Sequence, residues 1–156
     1  MHTADDFIEH LALEQHVEGG YYRLSYRSET PFDQTRALWS SIYFLLRTGE
    51  ISHFHRLIAD EMWYFHAGQS LTIYMIDPDG VLTTAQLGLD LAAGERPQFL
   101  VPKGCIFGSA MNQPGFSLVG CMVSPGFTFD DFELFSQKTL LAHFPQHSEI
   151  IKRLSR

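Results

Sequence analysis

The chain is poor in cysteine, poor in positive charge and without a long apolar run, and each shortage narrows what it can be. Only two of its 156 residues are cysteine. Cys105 and Cys121 stand apart in apolar surroundings with no metal-type spacing, so they read as buried free thiols, not as a disulfide frame or a zinc site. Lys and Arg total 11 against 18 Asp and Glu, a formal charge of −7. Without a basic cluster the chain is expected to bind neither nucleic acid nor an anionic membrane. No apolar stretch approaches a membrane span, and the polar start Met1-His2-Thr3-Ala4-Asp5-Asp6 is unlike a secretory leader. A cytoplasmic location is the simplest expectation. Repeats, linkers and low-complexity segments are also missing. Charged residues make up 19% and hydrophobic ones 45%, the balance of one globular domain spanning residues 1–156.

What the chain has instead is aromatics: 13 Phe and 6 Tyr, in short runs broken by Gly, Pro and Asp. That pattern favours a β sandwich or barrel over a helical bundle. Thr3 or Asp5 can cap a short helix carrying Phe7, Ile8 and Leu11. Strands are expected over Tyr21–Arg27 after the Gly19-Gly20 turn, over Leu38–Leu46 in a central position, and on either side of the Asp77-Pro78-Asp79-Gly80 turn. Val81–Leu87, with Thr83 and Thr84, reads as an edge. Gln98–Val101, Cys105–Met111 and Phe116–Ser124 follow. The stretches Glu133–Leu141 and Ser148–Arg156 read as helices broken at Phe144-Pro145. About nine short strands with short terminal helices predict an all-β, double-sheet jelly roll. A closure of about eight strands leaves room inside for one small ligand.

The densest chemistry lies between Gly49 and Gly68. On a regular strand His53 and His55 would point the same way, and a turn through Arg56–Asp60 could bring Glu61 back beside them. Two imidazoles and a carboxylate form a divalent-metal ligand set, and equally a kit for acid–base chemistry without metal. Glu61, Trp63 and Phe65 share one face of the following run, which leaves His66 on the other as a structural residue.

These residues resemble the first motif of the cupin superfamily, in the form G-x(3)-H-x-H-x(5)-E-x(6)-G, and Pro102-Lys103-Gly104 resembles the core of its second. Further words along the chain are similar to a small uncharacterised cupin branch: His16-Val17-Glu18-Gly19-Gly20-Tyr21-Tyr22-Arg23, the strand Ser40–Leu46, and Val123–Leu134. The resemblance implies the double-stranded β-helix of the dTDP-sugar epimerases, commonly paired as homodimers. It also implies a metal site completed by a histidine three residues after the second-motif glycine. Here that position is Phe107, and no histidine lies between His66 and His143.

The expected site is therefore catalytic at His55, as base or acid, and at Glu61, as its orienter. His53, Trp63, Tyr22, Arg23 and Phe107 are expected around the ligand, with Trp63 as a flat wall and Arg23 as an anion clamp. The expected ligand is a small polar metabolite, sugar- or nucleotide-sugar-like, turned over by epimerase- or isomerase-type proton transfer. No cofactor and no tightly held metal are expected. Weak occupancy by zinc or nickel on His53, His55 and Glu61 stays open. The alternatives are a metal-dependent oxygenase or isomerase on those three residues, and a non-catalytic ligand-binding or sensing module.

Overall fold

The computed structural model describes Met1–Arg156. Helix α1 (Ala4–His10) starts at Thr3, whose hydroxyl accepts from the Asp6 N–H while the Asp6 carboxylate accepts from the Thr3 N–H. This reciprocal cap satisfies two of the helix's free donors. Strands β1 (Glu14–Gln15), β2 (Tyr21–Arg27), β3 (Ser40–Arg47), β4 (Ile51–Arg56), β5 (Asp60–Gly68), β6 (Leu71–Ile76), β7 (Leu82–Leu87), β8 (Gln98–Val101), β9 (Ile106–Met111), β10 (Phe116–Ser124) and β11 (Glu133–Leu134) follow. Helices α2 (Gln137–His143) and α3 (Ser148–Leu154) end the chain.

The strands form two antiparallel sheets, ordered β1-β2-β3-β10-β5-β8 and β11-β4-β9-β6-β7. Alternation decides which side chains meet between them. In β10, Val119, Cys121 and Val123 turn inward, and so do Glu61 and Trp63 of the neighbouring β5, paired with Val123 and Cys121. Phe44, Leu46, Ile73 and Phe107 complete the core between the sheets. Each fully buried side chain of this size contributes about 1.5–3 kcal/mol.

The outer faces are covered unequally. On the five-stranded sheet, Phe54, Ile76 and Ile106 are closed over by Leu140 of α2 and by Ile151 and Leu154 of α3. On the six-stranded sheet, α1 covers only one end, around Leu45 and Leu118. No helix is long and apolar enough to cross a membrane.

Two expectations are corrected. Eleven strands form, not about nine. Glu133–Leu134, expected to be helical, is strand β11, paired with Arg56 and His55 at the edge of β4. Backbone pairing with a distant strand outweighs local helix preference there.

Candidate functional site

The site is built on an irregularity in β4. Ser52 pairs with Ser109, but His55 pairs with Phe107, so β4 fits one extra residue into the span. Such a bulge breaks the two-residue alternation. His55 consequently faces the space between the sheets while His53 turns out of it. The expectation that the two histidines share a face is therefore wrong, because it assumed a regular strand.

The place opposite His55 is taken by Glu18, on the turn between β1 and β2. Gly19 makes this approach possible. It has φ +109°, and a Cβ there would lie 1.9 Å from the Ile51 carbonyl oxygen, so only glycine fits. The Glu18 carbonyl accepts from the His53 backbone N–H and from His53 Nδ1, each at 2.6 Å. Its carboxylate meets His55 Nε2 at 2.9 Å.

His55 Nδ1 donates to the His53 carbonyl at 2.7 Å. Since a carbonyl only accepts, Nδ1 carries a proton and Nε2 faces Glu18. Burial pulls the imidazole's pKa down, but the charge and hydrogen bond of Glu18 outweigh it and the net shift is upward. Glu18 moves the opposite way. Burial raises its pKa, His55 lowers it, and the carboxylate ends below its ordinary value. The two form a buried imidazolium–carboxylate pair. The His55 ring is held between Phe107, with centroids 4.1 Å apart, and Phe132, stacked at 5.2 Å.

Glu61 is the second carboxyl group in the cavity, and its environment is different. Burial pushes its pKa up to about 8, against the attraction of His55 and with the repulsion of Glu18. The Trp63 indole and the Cys121 thiol lie close enough to pull it down but do not prevail. The indole Nε1 is buried without completing a hydrogen bond. His16 closes the group: its Nδ1 accepts from the Glu18 N–H, so the ring is neutral, and burial lowers its pKa. Burial also holds the Cys121 thiol protonated.

Together these residues line a small cavity of about 40 Å³ that widens into an open mouth. Its walls come from β3 (Ile42, Phe44), β5 and β10, and Tyr22, Phe127 and Phe132 stand over it. Of the residues expected around a ligand, Tyr22, His55, Glu61 and Trp63 line this space. Three do not. His53 lies outside, where its Nε2 accepts from Arg156 Nε. Arg23 is exposed on the opposite face of β2 and donates to the Ala12 carbonyl. Phe107 is core behind His55. The expected orienter was also misplaced: Glu18, not Glu61, holds His55. Glu18, His16, Cys121 and Phe132 were not anticipated. An acid placed directly before Gly-Gly, in a word of aromatics, was the available signal for Glu18.

The family model described as "Cupin superfamily (DUF985)" matches residues 5–135. The chain belongs to the cupin superfamily. It is 83% identical to protein SO0799 of Shewanella oneidensis, whose crystal structure superposes with a TM-score of 0.98 over 100% of this chain and 99% of that one. A hypothetical protein from Leishmania major is 39% identical, with a TM-score of 0.93 over 99% of each chain. Uncharacterized protein YML079W of Saccharomyces cerevisiae is 30% identical, covering 90% of this chain and 79% of its own length. Oxalate decarboxylase of Bacillus subtilis shares the fold alone, at 18% identity and a TM-score of 0.60, this chain spanning 37% of that one.

The metal site of metal-binding cupins does not fit these residues. Both nitrogens of His55 and both of His53 are engaged by protein groups, His53 points away from the cavity, and Phe107 stands where the last histidine would be. Of the family's ligand positions, Glu61 alone is left to offer a free donor, short of the three or four ligands such an ion needs.

These ionisations make stability depend on pH. Glu61, raised from 4.5 to about 8, stabilises fully below its ordinary value and loses that contribution as pH climbs toward 8. His55, raised from 6.5, adds to the alkaline loss. Glu18, lowered from 4.5, contributes above that value and is lost as pH falls through its folded pKa. His16, lowered from 6.5, favours the fold as pH rises toward 6.5. Maximum stability is expected between 4.5 and 6.5. Thermal melts across the pH range check this, with Glu61→Gln flattening the alkaline limb. A maximum above pH 8, or an unchanged limb in the variant, contradicts it.

Proposed function

We propose that this cupin binds a small, sugar-sized ring metabolite between its sheets and moves a proton on it, as an epimerase or isomerase does. The supporting observation is Glu61: a carboxyl group in the cavity with no ion-pair partner, its pKa near 8. A group that titrates near neutrality both gives and takes protons efficiently. Glu61 is the acid or base in this proposal, in place of His55, whose two nitrogens are committed. The His55–Glu18 ion pair stands beside it, and Trp63 and Tyr22 flank the ring.

The test is carbon-bound deuterium incorporation. Pools of small metabolites are incubated in heavy water with the protein and followed by mass spectrometry. Exchange into a ring compound, lost with Glu61→Gln, supports proton transfer. A ligand that is retained by the protein and never exchanges favours the non-catalytic binding module instead.

A homodimer is also proposed, on the uncovered face of the six-stranded sheet. Tyr26, Ser41, Met122, Met62 and Leu100 form one row across five adjacent strands, facing outward and carrying no charge. Tyr26 is 72% exposed and Leu100 43%. For a chain of net charge −7, an uncharged row is where a second copy is repelled least. Light scattering at micromolar concentration should give twice the chain mass, and Met62→Glu should give the monomer. A monomeric wild type refutes this.

A further inference from the structure

The cavity lining offers no free cation. It carries two carboxyl side chains, Glu18 and Glu61, and two imidazoles, His16 and His55, but no lysine or arginine. Arginines in the surrounding segments are occupied elsewhere: Arg36 by Asp33 and Asp131, Arg56 by Glu133. The charge of Glu18 is matched by His55, while Glu61 has no such partner. Around it stand the rings of Tyr22, Phe44, Trp63, Phe127 and Phe132.

An entering phosphate or carboxylate would lose its water, meet ring faces and a carboxyl group, and find no free cation to replace the lost hydration. An ammonium group would find the reverse. It would gain a charge-assisted hydrogen bond at Glu61 and ring faces that attract cations. The protein's net charge of −7 draws cations toward the cavity mouth as well.

We propose that the ligand of this cavity is a small ring compound bearing an ammonium group and no phosphate or carboxylate, anchored by Glu61 within the aromatic wall. This rests on the cavity's being the ligand site, and it narrows the substrate class. The nucleotide part of a nucleotide sugar has no place in it, so the handle of the substrate is an amine.

The experiment is calorimetric titration of the purified protein with a matched set: cyclohexylamine, cyclohexanol and cyclohexanecarboxylate. The amine is expected to bind about tenfold or more tighter than the alcohol, the usual gain of a hydrogen bond to a charged group. The carboxylate should give no saturable heat. Glu61→Gln should bring the amine down to the alcohol's affinity, since the bound ammonium draws Glu61 into its ionised form and an amide cannot follow, with little change in melting temperature near pH 6, where the unliganded carboxyl is neutral. Equal affinity for the alcohol, binding of the carboxylate, no saturation by the amine, or a preference that survives Glu61→Gln overturns the proposal. The deuterium screen fails separately. Exchange on an uncharged or anionic metabolite removes the ammonium assignment and leaves proton transfer standing, whereas amine selectivity without any exchange does the opposite.

Discussion

Glu18→Ala is expected to destabilise the protein by about 3–5 kcal/mol at neutral pH, the cost of leaving one member of a buried ion pair without its partner. For a chain of this length that lowers the melting temperature by about 10 °C. His55 cannot find a substitute. Its Nδ1–H is spent on the His53 carbonyl and its ring is enclosed by Phe107 and Phe132, so Nε2 would be left facing an empty space. Glu18→Gln should cost less, about 1–2 kcal/mol, because the amide N–H can donate to a neutral His55 Nε2. In both variants burial is the dominant influence left on His55. Its pKa, followed by NMR, should drop below the ordinary 6.5 instead of lying above it. Chemical denaturation measures the first effect. A Glu18→Ala protein as stable as the wild type would mean that the pair contributes nothing.

The second large effect concerns the chemistry. With an exchanging substrate in hand, Glu61→Gln should slow deuterium incorporation by about 10²–10⁴-fold, the usual contribution of a positioned acid or base. The glutamine keeps the size and neutrality of the protonated carboxyl, so the fold and the melting temperature near pH 6 should hardly change. If Glu61 is the base, the wild-type rate rises with pH and levels above about 8, where the carboxylate dominates. If it is the acid, the rate falls through the same value. Exchange that keeps its rate in the variant, or a profile that ignores this region, would place the proton transfer elsewhere.

The strands were readable because alternation and turn residues are local properties. Phe116–Ser124 is the strand expected from its two apolar faces, and Tyr21–Arg27 begins where Gly19-Gly20 ends. The glycines framing the histidine segment and the Pro102-Lys103-Gly104 turn marked the fold family for the same reason. His55, Glu61, Trp63 and Tyr22 stand out in the sequence by residue type and position, and all four line one cavity.

Their pairing was not readable. A single extra residue between Ser52 and His55, defined only by the partner strand β9, turns His53 outward to Arg156. Glu18 reaches His55 from a turn far away in sequence, through a glycine whose need for φ +109° appears only when Ile51 is packed against it. Glu18 and Glu61 are the same residue type, yet the first is held as a carboxylate by an imidazolium and the second is kept neutral near pH 7 by burial and by the repulsion of Glu18. The sequence by itself determined the jelly roll and the chemical groups it carries, since periodicity and turn chemistry act between neighbours. Only the tertiary structure decided which carboxyl group is paired and which is free. That outcome depends on desolvation and on distances of about 3 Å between residues remote in the chain, and no local pattern encodes either.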